Sequence, residues 1–250
     1  MALTLGIDLS ADPAKTAACS IVWEEGRPGR VDRLLVGSDA GTPLDNGELV
    51  AMIREADLSG IDAPFGWPLR FVEAVRAWGE SEGWKAGTDV TELRYRVTDL
   101  RVPGPRRPLS VSTDLIGVTA MRCVSILDAL GPAVDRSGLT GPAIEIYPAA
   151  ALRRWGLIST GYKGRAKSEV RGRLVADLCE RLAGICEIND ASLRLCEKSD
   201  DALDSLVASL AVRARMRGLT TTPKGPEQIR LARIEGWIHL PDCELSELVG

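Results

Sequence analysis

The chain has 250 residues, 45% of them hydrophobic and 26% charged, which is ordinary globular usage and excludes a disordered or fibrous protein. Lys and Arg number 31 against 35 Asp and Glu, a net charge of −4, so the protein does not bind polyanions by bulk charge, although local basic grooves remain open. The six cysteines form no C-x-x-C pair and His239 is the single histidine, which excludes zinc-site spacing.

Leu3 to Leu9, Thr16 to Trp23 and Arg30 to Val36 read as three strands separated by Asp/Pro and Gly/Pro breaks, close enough together for an antiparallel meander. Asn46 to Ala56 has the spacing of an amphipathic helix, with Leu49, Met52 and Ile53 on one face. A short apolar strand, Leu58 to Ala63, stops at Pro64. From about residue 65 to 141 the pattern is that of an insertion. A helix over Leu69–Trp78 is followed by a Gly- and Trp-containing stretch, the Pro-rich run Arg101 to Pro108, and a long helix over Thr113–Leu130. Ala143 to Tyr147 returns as a strand, and helices follow at Pro148–Trp155, Arg165–Leu182 and Ser199–Arg217. The order predicts an α/β fold with a mixed sheet, in one domain over residues 1–250. With no apolar run near 18 residues and no basic leader, no membrane span or signal peptide is expected. Cysteines scattered in apolar surroundings point to a reducing, cytoplasmic setting.

The placement of acids carries the most information. Asp8 ends the first strand, Asp62 ends the fourth, and Glu145 sits between Ile144 and Ile146. A carboxylate inside an apolar strand costs several kcal/mol unless something compensates it. Asp201 and Asp204, three residues apart, share one face of the last long helix. Taken singly, Asp8 reads first as a turn residue before Asp12-Pro13, and Asp62 as a cap on the bend at Pro64. Asp200 reads as a first-turn acid behind the N-cap Ser199. Taken jointly, the acids predict a shared pocket. Hard oxygen donors without His or Cys specify Mg²⁺ or Mn²⁺, and acids gathered from distant segments suit a pair of ions acting on a phosphoryl group. With one histidine and no G-x-S-x-G elbow, Ser-His-Asp chemistry is not expected.

Gly6-Ile7-Asp8, Ile61-Asp62-Ala63-Pro64-Phe65-Gly66-Trp67-Pro68, Arg94-Tyr95-Arg96-Val97-Thr98-Asp99, Ile144-Glu145-Ile146-Tyr147-Pro148, Gly161-Tyr162-Lys163-Gly164, Asp200-Asp201-Ala202-Leu203-Asp204 and Glu235-Gly236-Trp237-Ile238 together resemble the domain-of-unknown-function 429 family. These pieces occur in the family's order and span almost the whole chain. The family is described as predicted nucleases of RNase H-like fold, a fold-level inference. The resemblance implies a five-stranded mixed sheet, three antiparallel strands first, flanked by helices, with a helical insertion between the fourth and fifth strands. RNase H-like enzymes carry acids on the first strand, the fourth strand and the last helix, which Asp8, Asp62 and Asp201/Asp204 match. Glu145 is outside that set and is expected as an additional ligand or as a base for the attacking water.

Arg94, Arg96, Arg101, Arg106 and Arg107 form one basic window, and Arg153 to Arg173 a second. Arg94, Arg96 and Lys163 are the candidate phosphate contacts. The Arg165–Arg173 helix reads equally as a solvated face, and Gly161 to Gly164 equally as a simple turn. Trp67 is expected to seal the core first and to stack on a base second, and His239 to be structural or superficial. The expected function is metal-dependent hydrolysis of a phosphodiester. Asp8, Asp62, Asp201 and Asp204 would hold the ions and Glu145 would support them, with a nucleic acid or nucleotide as substrate. The alternatives are a phosphotransferase or ATP-binding protein of the same fold, and a non-catalytic nucleic-acid or protein-binding module.

Overall fold

The computed structural model describes residues 1–38, 43–84, 90–105, 107–132 and 134–249, so that Arg106 of the first basic window lies outside the described residues. Three strands come first, β1 (Ala2–Asp8), β2 (Ala17–Trp23) and β3 (Gly29–Val36), paired antiparallel in a meander. Helix α1 (Asn46–Glu55) is capped by the Asp45 side chain and returns the chain to β4 (Leu58–Ile61), which pairs parallel to β1. Between β4 and β5 (Ala143–Glu145) lie α2 (Leu69–Gly79), the one-turn α3 (Thr91–Arg94) and α4 (Asp114–Leu130). Helices α5 (Pro148–Arg154) and α6 (Ser168–Arg181), strand β6 (Cys186–Glu187), and helices α7 (Asp190–Lys198), α8 (Asp200–Met216) and α9 (Gly225–Glu235) complete the chain.

The sheet is mixed and has six strands in the order β5-β4-β1-β2-β3-β6, one more than the five expected. The additional strand is two residues long and pairs with Gly29 and Arg30 at the start of β3. It is too short to carry an alternation that the sequence could display. Among the described residues no helix is long and apolar enough to cross a membrane. All six cysteines are free thiols, four of them buried.

Side-chain alternation sends successive residues of β1 to opposite faces. Leu5, Ile7 and Leu9 enter one apolar layer with Leu49, Ile53, Ile61 and, from α4, Cys123 and Ile126. Thr4, Gly6 and Asp8 face the other side, where α8 crosses the sheet. There the Thr4 and Ser209 hydroxyls are 2.8 Å apart. A Cβ on Gly6 would fall 2.1 Å from the Ser205 carbonyl oxygen and 2.3 Å from the Ser209 amide nitrogen. Gly60 of β4 occupies the matching place, against Val212 and Ile146. Helix α8 therefore lies nearly on the strand backbone. It is almost wholly buried from Ala202 to Val212, with small residues at Ala202, Ser205, Ala208, Ser209 and Ala211.

Candidate active site: an acid cluster at the strand ends

The pairing of Ile7 with Ile61 sets Asp8 and Asp62 side by side, one residue past the last paired positions and both on the α8 face. The Asp62 amide continues the ladder by donating to the Ile7 carbonyl at 2.8 Å. Because Gly6 admits α8 so closely, the helix brings Asp204 to the same point. Carboxylate oxygens of Asp8, Asp62 and Asp204 all lie within 4.8 Å of one another. Asp201, one turn earlier on α8, adjoins Asp8 and lines the same cleft. Ser199 caps α8, its hydroxyl accepting from the Ala202 amide at 3.2 Å.

Among the described residues one cation meets these four acids. Lys163 Nζ is 2.6 Å from Asp204 Oδ2, and the Tyr162 hydroxyl donates to Asp204 Oδ1 at 2.8 Å. Burial, and then Asp204 and Asp62, drive the Asp8 carboxyl well above the usual carboxylate range. Burial raises Asp62 to about 7, the pull of Lys163 being outweighed with help from Asp204 and Glu145. Asp201 and Asp204 are raised as well, burial again being the main cause. Lys163 is raised, its own desolvation outweighed by Asp204, Asp62 and Asp8. Ionised together, the four acids would outnumber the one ammonium, and without a cation the raised carboxyls relieve that repulsion by keeping protons.

The cleft over the acids measures about 480 Å³. Its walls include Pro64, Leu109, Leu115, Ile116, Tyr147, Arg153 and the Ser159–Lys163 loop. Arg153 is anchored by donation to the Pro103 carbonyl at 2.6 Å.

Glu145 and Arg96 are brought together with each other beside the carboxylate cluster, and both also line the cleft. Glu145 pairs in register with Ile61, so its side chain leaves the sheet on the face opposite Asp8 and Asp62. Arg96 grips both of its oxygens, at 2.6 Å (Oε1) and 2.7 Å (Oε2), and the Phe65 amide donates to Oε2 at 3.1 Å. The same guanidinium binds Asp99 at 2.8 and 3.1 Å and the Glu235 carbonyl at 3.1 Å. All three charged groups are buried and every strong acceptor is met. Arg94 is exposed, stacks over the Tyr95 ring at 5.1 Å and does not line the cleft. His239 is fully buried, its Nε2 3.0 Å from the Ser137 carbonyl oxygen, which places it in the structural class expected of it.

Two residues at the site escaped sequence reasoning. Tyr162 is 1% exposed and holds Asp204. Arg171, from the α6 window that reads as a solvated face, is also 1% exposed. It donates to the carbonyls of Tyr162 (2.9 Å), Gly164 (3.2 Å), Glu197 (2.9 Å) and Lys198 (2.8 Å). A basic window gives no local sign of this, because the partners are main-chain carbonyls from two other segments.

The fold and cleft define a mixed α/β protein whose strand ends and one crossing helix gather acids beside Lys163. Residues 6–228 match the family model described as Protein of unknown function (DUF429), and the chain belongs to that family. No curated protein and no solved structure matches it.

Proposed function

We propose that the protein is a Mg²⁺- or Mn²⁺-dependent hydrolase of phosphodiester bonds, a nuclease or phosphodiesterase built on an RNase H-like fold. One contrast carries the reading. Two groups of acids, one buried and one mostly half-buried, sit at the same edge of the sheet. Every oxygen of Asp99 and Glu145 accepts a hydrogen bond from Arg96 or a main-chain amide, one guanidinium serving two acids, whereas among the described residues Asp8, Asp62, Asp201 and Asp204 share a single ammonium. A structural cluster is expected to be satisfied. One left with excess charge in an open cleft is arranged for a ligand. The donor set fits a hard divalent ion, since it consists of carboxylate oxygens alone and leaves a net charge of about −3 when all four acids are ionised.

The antiparallel β1-β2-β3 meander followed by the parallel β4 and β5 supports the RNase H-like assignment, as do acids on the first strand, the fourth strand and the long helix near the chain's end. Asp8, Asp62 and Asp201 are the residues that would hold the metal, with Asp204, already paired to Lys163, completing the acid cluster beside them. When bound, the metal supplies a water of lowered pKa and a Lewis acid for a phosphoryl oxygen. Lys163, its side chain half exposed, faces the cleft and presents a fixed positive charge to a phosphate. Arg153 adds a second donor at the wall, and Leu109 and Leu115 offer an apolar surface to a nucleobase. Glu145 and Arg96 serve this site as scaffold, tying β5 to the segments at Phe65, Asp99 and Glu235.

Labelled single- and double-stranded DNA and RNA incubated with the protein and Mn²⁺ test the proposal. Cleavage is expected in the wild type and lost in Asp8→Asn. Cleavage unchanged in that variant, or absence of any thermal stabilisation by Mn²⁺ in the wild type, refutes it.

A further inference from the structure

We infer that Lys163 takes the place of a second metal ion, so that the cleft binds one divalent cation and not two. The inference rests on the metal-dependent reading above and fixes the cation arrangement within it.

Asp204 is the acid through which the two could be told apart. Both of its oxygens are engaged, Oδ1 by the Tyr162 hydroxyl at 2.8 Å and Oδ2 by the Lys163 ammonium at 2.6 Å. Asp204 is 1% exposed while the Lys163 side chain is 51% exposed, so the ammonium covers the carboxylate from the side open to solvent. A divalent ion approaching Asp204 from the cleft meets that positive charge first. Among the described residues Asp8, Asp62 and Asp201 make no ion pair of their own, all three line the cleft, and the Asp8 and Asp62 carboxylate oxygens lie within 4.8 Å of each other, so these three are left to hold one ion.

The lysine is held there by a built device. Gly161 and Gly164 bracket it with positive φ angles of 75° and 92°, which turn the loop back on itself. Arg171 binds the carbonyls on either side of Lys163, those of Tyr162 and Gly164. With its remaining nitrogens it binds the Glu197 and Lys198 carbonyls at the end of α7, immediately before α8. The Gly164 amide donates to Asp200 Oδ2 at 3.2 Å. The loop and the start of α8 are thereby one unit, and the distance between Lys163 and Asp204 is set by that unit and not by a free side chain. A preplaced ammonium of this kind does for one phosphoryl oxygen what a second ion would do, with no second ion to recruit.

Calorimetric titration of the full chain with Mn²⁺ alone, at neutral pH, decides the matter, with thermal melts confirming that each variant is folded. One Mn²⁺ per chain is expected for the wild type and for Lys163→Arg. Lys163→Ala and Lys163→Gln, which uncover Asp204, are expected to bind a second. Two Mn²⁺ in the wild type overturn the inference and leave the metal-dependent reading standing. A count of one or none in both neutral variants, where the wild type takes one, overturns it equally. No Mn²⁺ bound by the wild type removes the reading beneath it.

Discussion

Replacing Arg96 by Met separates scaffold from substrate contact. The guanidinium makes four hydrogen bonds to Asp99 and Glu145 and one to the Glu235 carbonyl, with all three charged side chains no more than 4% exposed. Glu145 and Asp99 hold the Arg96 guanidinium in its charged form against burial, while burial still leaves the Glu145 carboxyl above its ordinary value. Met fills much of the same volume but leaves two carboxyl groups buried without a counter-charge, a loss of about 3–5 kcal/mol where buried pairs have been broken. Protonation limits the damage. Neutralising an ordinary carboxyl costs about 4 kcal/mol at pH 7 and about 1 kcal/mol at pH 5. Urea denaturation at pH 7 should therefore show Arg96→Met destabilised by about 4 kcal/mol, a large part of a typical domain's stability. The deficit relative to wild type should shrink by about 2–3 kcal/mol at pH 5. A variant within about 1 kcal/mol of wild type at pH 7, or a deficit that does not narrow in acid, refutes the assignment of Arg96 as scaffold.

Gly6→Ala should cost more than about 3 kcal/mol, because its Cβ collides with α8 backbone that cannot yield. Gly60→Ala should cost less, since its Cβ meets Val212 and Ile146 side-chain ends, and equal losses in urea would contradict this order. His239, lowered to about 4 by burial, sits below its unfolded value near 6.5, so its contribution is complete above pH 6.5 and is lost as pH falls toward 4. The full loss is about 3 kcal/mol, and the stability difference between wild type and His239→Gln should shrink over that window. Asp62 runs the other way. Raised to about 7, it leaves the metal-free native state holding a proton that the unfolded chain has released, so stability declines as pH rises from about 4 through 7. Metal-free Asp62→Asn should therefore gain on wild type between pH 5 and pH 7.5, and parallel profiles would show that Asp62 carries no such strain.

The elements visible in the sequence are those that carry an apolar run or an apolar stripe. Strands β1 and β2 are apolar runs buried on both faces, α1 buries Leu49, Val50, Met52 and Ile53, and α8 is buried continuously from Ala202 to Val212, whereas α4 buries Ala120, Cys123, Ile126 and Leu127 but exposes Leu115, Val118 and Met121. Helices α7 and α9 were not legible, because the only buried residues are Ser192 and Cys196 on the first and Ala232 and Glu235 on the second. The structure gathers Asp8, Asp62, Asp201 and Asp204, a convergence that strand ends and helical spacing suggested. The face taken by Glu145 was not legible. Flanking isoleucines announced its burial, but the side of the sheet depends on its register with Ile61, a long-range fact. Lys163 was readable as a cation on a Gly-bracketed turn. What makes that turn rigid, the clamp from Arg171, joins residues 7 to 27 positions away through main-chain carbonyls and leaves no composition signal.

The acids and the glycines are one construction. Like charges brought together in a half-buried cleft oppose folding, and nothing in their own segments holds them close. What holds them is the contact of α8 with the sheet. Gly6 and Gly60, each two residues before an acid of the cluster, let the small-residue face of α8 press onto β1 and β4. Every residue of that contact faces the same way as Asp8 and Asp62, because strand alternation puts positions 6 and 8, and 60 and 62, on one side. The apolar burial along α8 thus offsets the repulsion at its N-terminal end. Separating the acids would require lifting the helix from the core. A cation can therefore relieve the cluster while the helix stays in place.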